Sequence, residues 1–177
     1  MAKNPIEIDI IIQKLKDGYL DESLKKLKKI IITNSNKNLI YKLFASIYFK
    51  KKNWENSIQY YKKILSFEDK KFGIYNNIGV AWFNLGKINE SIKTYKKAIT
   101  ENPNFDLAYS NIGTCYNELG SYEDAVKYFA QALILNENNY SAKNNLINLF
   151  LVVRIKSENE HPLIKINDKI KNIDNKI

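Results

Sequence analysis

The sequence predicts an all-α fold built by stacking copies of one helix–turn–helix unit, and three observations predict it. The stretch from residue 72 to 104, FGIYNNIGVAWFNLGKINESIKTYKKAITENPN, holds two helical patterns separated by one glycine. Tyr75, Ile78, Gly79 and Trp82 recur every three or four residues and share one helix face; Ile88, Ser91, Tyr95 and Ala98 do the same, and Pro103 closes the unit. The pattern then repeats at a spacing of 34: Tyr75 is followed by Tyr109, Ile78 by Ile112, Gly79 by Gly113, Trp82 by Tyr116 and Ala98 by Ala132. Gly18, Gly86 and Gly120 also stand apart by multiples of 34, each where one helical pattern gives way to the next. A fixed period of this length is the signature of a solenoid, because no single unit can bury its apolar face without a neighbour.

Each element follows from that register. The first unit, residues 4–37, keeps Ile10, Gly18, Leu20, Ser23, Leu27 and Ile30 in place but carries Glu7, Ile11 and Lys14 where later units have an aromatic, a small residue and a second aromatic. Such erosion is expected of a terminal repeat with one face toward water. Pro5 suits the first turn of a helix, with Asn4 as its cap. In residues 38–71, Tyr41, Phe44, Ala45 and Tyr48 make the first helix, and Trp54, Ser57, Tyr61 and Ile64 the second. Lys52 occupies the glycine position there, so that turn either differs or bears strain. Residues 72–105 and 106–139 follow; in the last, Ser121 and Asp124 have the spacing of a capping box. Gly79 and Gly113 remove a side chain from the first helices, while Ala98, Ala125 and Ala132 keep the second helices thin for close packing. Residues 140–155 continue the first-helix pattern once more as a capping helix, with Leu149, Leu151 and Val152 widening its apolar stripe. Residues 156–177 read as a polar linker and a short amphipathic helix through Leu163, Ile166, Ile170, Ile173 and Ile177.

The recurring aromatic, Leu-Gly, aromatic, Ala and Pro positions resemble the tetratricopeptide repeat family. The resemblance implies a right-handed superhelix of four helix pairs plus a capping helix, whose first helices line a concave groove for extended peptides. On this basis the residue before the Ile or Leu of each first-helix pattern faces the groove. Those residues are Asn77, Asn111 and Asn145, which is similar to the asparagine ladder in the repeat domain of O-linked N-acetylglucosamine transferases. An amide side chain both donates and accepts, so it can hold a peptide unit without reading its side chain. Lys42, Asn76, Val80, Ser110 and Thr114 complete the expected groove lining. Asp9 and Leu43 interrupt the ladder in the first two units, and 24 asparagines in 177 residues make some coincidence in register inevitable. A two-carboxylate clamp of the kind that holds chaperone C-termini would find Lys42 and Asn77 in place. Ser46, Leu107 and Asn111 depart from the rest of its pattern, which argues against it.

Composition sets the limits. Apolar residues make up 45% and charged residues 27%, a globular balance. The single Cys115 rules out an internal disulfide and fits a reducing, cytoplasmic setting. Met1 to Ile12 lacks the charge and apolar pattern of a signal peptide, and the apolar run Leu149 to Val153 is too short to span a bilayer. The formal charge of +9 is concentrated in residues 1–71, yet 27 of the 28 basic residues are lysines. With Arg154 alone able to offer a guanidinium fork, nucleic acid is not the expected partner. Only one histidine, His161, is present, so no histidine triad or multi-histidine metal site can be built, and no catalytic residue, metal or cofactor is expected. The expected function is a protein- or peptide-binding scaffold, with an accessory module of a larger transferase or oxygenase as the alternative. Two heptads of apolar residues in 162–177 would support only weak self-association, so a stable homo-oligomer is not expected.

Overall fold

Helices form where apolar residues recur every three to four positions, and the first helix of each pair stops at a left-handed turn. In the computed structural model, which describes residues 4–30, 32–33 and 35–156, nine helices fall in chain order. They are α1 (Asn4–Lys16), α2 (Leu20–Leu27), α3 (Lys37–Lys50), α4 (Trp54–Ile64), α5 (Phe72–Asn84), α6 (Ile88–Glu101), α7 (Asp106–Glu118), α8 (Tyr122–Leu135) and α9 (Tyr140–Lys156). No strand occurs among the described residues. The linker and amphipathic helix expected beyond Lys156 lie outside them, although Lys156 itself, assigned to that linker, belongs to α9.

The turn between paired helices is the same four times. The backbone N–H of Tyr19, Asn53, Lys87 and Ser121 reaches back to the carbonyl of Lys14, Tyr48, Trp82 and Tyr116, respectively, at 2.9 to 3.0 Å. This six-to-one bond needs one left-handed residue. Gly18, Gly86 and Gly120 provide it at φ of 87°, 72° and 74°. Lys52 adopts it too, at φ 56°, so the second turn keeps its geometry and carries the strain of a side chain there, on the order of 1 kcal/mol. Ser121 opens α8 without a side-chain cap, so the expected capping box does not form; Asp124 instead pairs with Lys127 at 3.1 Å. An aspartate is one methylene shorter than the glutamate that normally reaches back to the cap. The caps that do form belong to asparagines: Asn53 Oδ1 accepts from the Asn56 N–H, and Asn139 Oδ1 from the Ala142 N–H at 2.9 Å.

The chain divides into two compact units, residues 1–103 and 104–177. In the first, α1 packs on α2, α2 on α3, α3 on α4, α4 on α5 and α5 on α6. Ile11, Leu27, Ile40 and Ile47 centre one apolar cluster, and Ile58, Ile78 and Ala81 another, flanked by Trp54, Trp82 and Leu85. In the second unit α7 packs on α8, and α9 rests on both. There Phe129, at 0% exposure, centres a cluster with Ala125, Ala132, Ala142, Leu146 and Leu149. Burying a side chain of that size stabilises by roughly 1.5–3 kcal/mol.

Paired helices approach closely because a small residue on one meets a ring on the other. A Cβ placed on Gly79 would stand 2.5 Å from the Tyr95 ring, and one on Gly113 would stand 2.7 Å from Phe129. Buried serines lock the same contact: Ser91 Oγ donates to the Gly79 carbonyl at 2.8 Å and Ser57 Oγ to the Ala45 carbonyl at 3.4 Å.

Candidate peptide-binding surface

The residues expected to meet a peptide sit on the first helix of each pair. In residues 1–103 these are Lys42 on α3 and Asn76, Asn77 and Val80 on α5. Lys42 is exposed, and its ammonium pairs with Glu68 at 2.6 Å. Glu68 also accepts from Asn38 Nδ2 at 2.8 Å, and that hydrogen bond, together with Lys42, holds its carboxyl below the ordinary glutamate range. Asn77 is half-buried, and its Nδ2 donates to the Tyr61 hydroxyl at 3.1 Å. Burial pushes the Tyr61 phenol up, against the opposing pull of the Asn77 bond, so it stays protonated at neutral pH. The Asn77 side chain is thereby held by one N–H, leaving its Oδ1 and second N–H for other partners. Val80 is half-buried and its carbonyl accepts from Asn84 Nδ2 at 2.8 Å.

In residues 104–177 the expected residues are Ser110, Asn111 and Thr114 on α7 and Asn145 on α9, two helices that touch. Asn111, Thr114 and Asn145 are half-buried. Thr114 Oγ1 donates to the Ser110 carbonyl one turn back, at 3.2 Å. Ser110 itself is 1% exposed with its Oγ unpartnered, so it sits inside the packing rather than on a surface. Adjacent positions on a helix point about 100° apart, which carries Ser110 inward while Asn111 stays at the edge. Cys115 is fully buried, as its place among small residues leads one to expect.

The sequence reading missed a clasp that ties the start of a repeat to its end. In residues 38–71 it is Asn38 donating to Glu68; in residues 106–139 it is Asp106 accepting from Asn136 at 3.0 Å and from Asn139 at 2.8 Å. The same two positions are used with donor and acceptor exchanged, which hides the pairing from a search for identical residues. Among the described residues, no group of three or more His, Cys, Asp or Glu could hold a metal ion, and no helix is long and apolar enough to cross a membrane.

Helix pairs joined by identical turns, with asparagines at one register position, define a helical-repeat protein. Tetratricopeptide repeat models match residues 40–70, 73–105 and 107–139, together more than half of the chain. The chain belongs to the tetratricopeptide repeat family. No curated protein matches the sequence. Among solved structures, MamA (MSR-1 C2) is similar at 23% identity and a TM-score of 0.67, covering 75% of this chain and 76% of its own. The first TPR domain of human RPAP3 is similar at 26% identity and a TM-score of 0.61, covering 68% and 95%. The first TPR of Spaghetti (RPAP3), bound to the HSP90 peptide SRMEEVD, has the same identity and TM-score and covers 71% and 99%.

Proposed function

We propose that the chain is a scaffold that binds extended peptide or protein segments along the first helices of its repeats, through Asn77 in residues 1–103 and through Asn111 and Asn145 in residues 104–177. The observation that carries this reading is the Spaghetti (RPAP3) structure, in which a domain of the same fold, matched over nearly its whole length, holds a peptide. The ladder in particular is supported by the resemblance to O-linked N-acetylglucosamine transferase repeats and by the Tyr61 hydroxyl, which fixes the Asn77 amide before any partner arrives. A pre-fixed amide loses little rotamer freedom on binding, so more of its hydrogen-bond energy appears as affinity. The clamp of acidic chaperone tails is not part of the proposal, because Leu107 and Asn111 stand where basic residues would be required.

The test is capture of binding partners with the wild-type chain and with Asn77→Ala/Asn111→Ala/Asn145→Ala. The triple variant is expected to keep its helicity and to bind a captured partner at least tenfold more weakly. Equal affinity would remove the asparagines from the interface. The peptide SRMEEVD should bind both forms weakly and alike; tight binding by the wild type would reinstate the clamp.

A further inference from the structure

Away from Asn77 and Val80, residues 1–103 carry a cleft of about 470 Å³ between α4 and the end of α5. Its floor is Ile58, Trp82 and Leu85, and its rim is Glu55, Gln59, Lys62 and Lys87. Trp82 lies five positions after Asn77 and two after Val80, which places it about 140° and 160° from them around the helix axis. The cleft is therefore a different surface from the one proposed above.

Its electrostatics are unusual. The Lys62 ammonium stands 5.6 Å from the centre of the Trp82 ring and the Lys87 ammonium 5.0 Å, so two cations share one indole and lie no more than about 11 Å apart. Neither has a carboxylate within ion-pair distance among the described residues. Glu55 stands seven positions before Lys62, about 10 Å along α4. The site thus has an apolar aromatic floor, two cations over its indole that make no ion pair among the described residues, and one carboxylate on its rim.

The corresponding place between α2 and α3 is built differently. Asp21 and Lys51, which stand 34 residues before Glu55 and Leu85, form an ion pair across it. At the later cleft Leu85 replaces the lysine, so the ion pair is lost and the apolar floor is left open to a ligand.

We propose that this cleft is a second docking site, for a peptide segment carrying a carboxylate beside an aliphatic or aromatic side chain. The carboxylate neutralises Lys62 and Lys87, and the apolar side chain covers Trp82, Ile58 and Leu85. Charge supplies the selection and the floor supplies the burial.

The test follows the two indole N–H signals by NMR as blocked pentapeptides are added. Acetyl-Glu-Leu-Asp-Phe-Glu-amide should shift the Trp82 signal saturably and leave Trp54 in place. Lys62→Gln/Lys87→Gln, both exposed side chains, should keep the fold and weaken binding at least tenfold, and Asn77→Ala should leave it unchanged. Acetyl-Glu-Ser-Asp-Ser-Glu-amide should bind at least fivefold more weakly, and acetyl-Lys-Leu-Lys-Phe-Lys-amide not at all. The proposal fails if the basic peptide binds equally well, if the double glutamine variant keeps full affinity, or if the Trp82 signal does not move at millimolar peptide. Equal binding of the serine peptide would reduce the cleft to a general anion site and overturn the apolar half of the assignment.

Discussion

The helix pair α1–α2 and the helix pair α5–α6 occupy equivalent places in their repeats but close by opposite means. In α5–α6 the first helix offers no side chain at Gly79, and the Tyr95 ring lies against its backbone. In α1–α2 the equivalent residues are Ile11 and Leu27, both 1% exposed in the same cluster. Bulk has moved from the second helix to the first, with the space between them still filled. Ala45 and Tyr61 in the second repeat stand between these extremes, and Gly113 and Phe129 repeat the third pair's solution. The serine follows the bulk. Ser91 donates across the pair to the Gly79 carbonyl at 2.8 Å, whereas Ser23, at the equivalent position, turns to the Tyr19 carbonyl of its own chain segment at 2.7 Å. What the period preserves is a filled contact at two facing positions rather than fixed residues, because a close-packed interior can be met by more than one combination of sizes.

The comparison can be broken most severely on the Ile11 side. Ile11→Ala should cost about 3 kcal/mol in denaturant unfolding, since it empties a fully buried site. Adding Leu27→Tyr, which turns the first pair into the Ala–Tyr arrangement of the second, should recover at least half of that loss; no recovery would show that the facing positions do not trade volume. Gly79→Ala should cost about 2 kcal/mol, because its Cβ must displace the Tyr95 ring while the gain in helix propensity of about 1 kcal/mol offsets part of the strain. Ser91→Ala should cost about 1 kcal/mol for the lost cross-helix bond, and Ser23→Ala clearly less, because its bond is local. Equal losses would mean that the serine does not contribute through the pairing.

The smallest expected effect concerns charge. The first pair carries a Lys14–Glu22 ion pair of 2.7 Å, where the third has Trp82 and Glu90 at the equivalent positions. The Lys14 hydrogen bond lowers the Glu22 carboxyl below the ordinary value of 4.5. A depressed folded-state value stabilises the fold above the unfolded value and loses that contribution as pH falls through the folded one. Lys14→Ala should therefore raise the Glu22 midpoint toward the ordinary value in a carboxyl NMR titration.

The helix pairs and their turns were legible because the residues that make them recur nearly unchanged: Gly18, Gly86 and Gly120 in the turns, and Ala98 and Ala132 on the second helices. Lys52 shows the limit of that reading, since the turn depends on a backbone angle that a lysine can also reach at a cost. The Asn38–Glu68 and Asp106–Asn136 clasps escaped because their chemistry is preserved while their residues are swapped. The Asn53 and Asn139 caps were concealed in a chain rich in asparagine. The asparagine positions on α5, α7 and α9 could be named from the register, but the Tyr61 anchor of Asn77 depends on a neighbouring repeat and had no local signal. The inward turn of Ser110 likewise depends on packing around α7 rather than on its spacing. The cleft beside Trp82 has no motif at all, because its parts come from two helices and a turn.

The tryptophans and the cysteine divide between the two compact units in a way that makes the chain its own instrument. Both tryptophans, Trp54 and Trp82, lie within residues 1–103, and the only thiol, Cys115, lies fully buried within residues 104–177. Indole emission thus follows the opening of the first unit alone, while the rate at which a thiol reagent reaches Cys115 follows that of the second. One denaturant series read both ways distinguishes a single cooperative transition from two separate ones, with no label added and no residue changed.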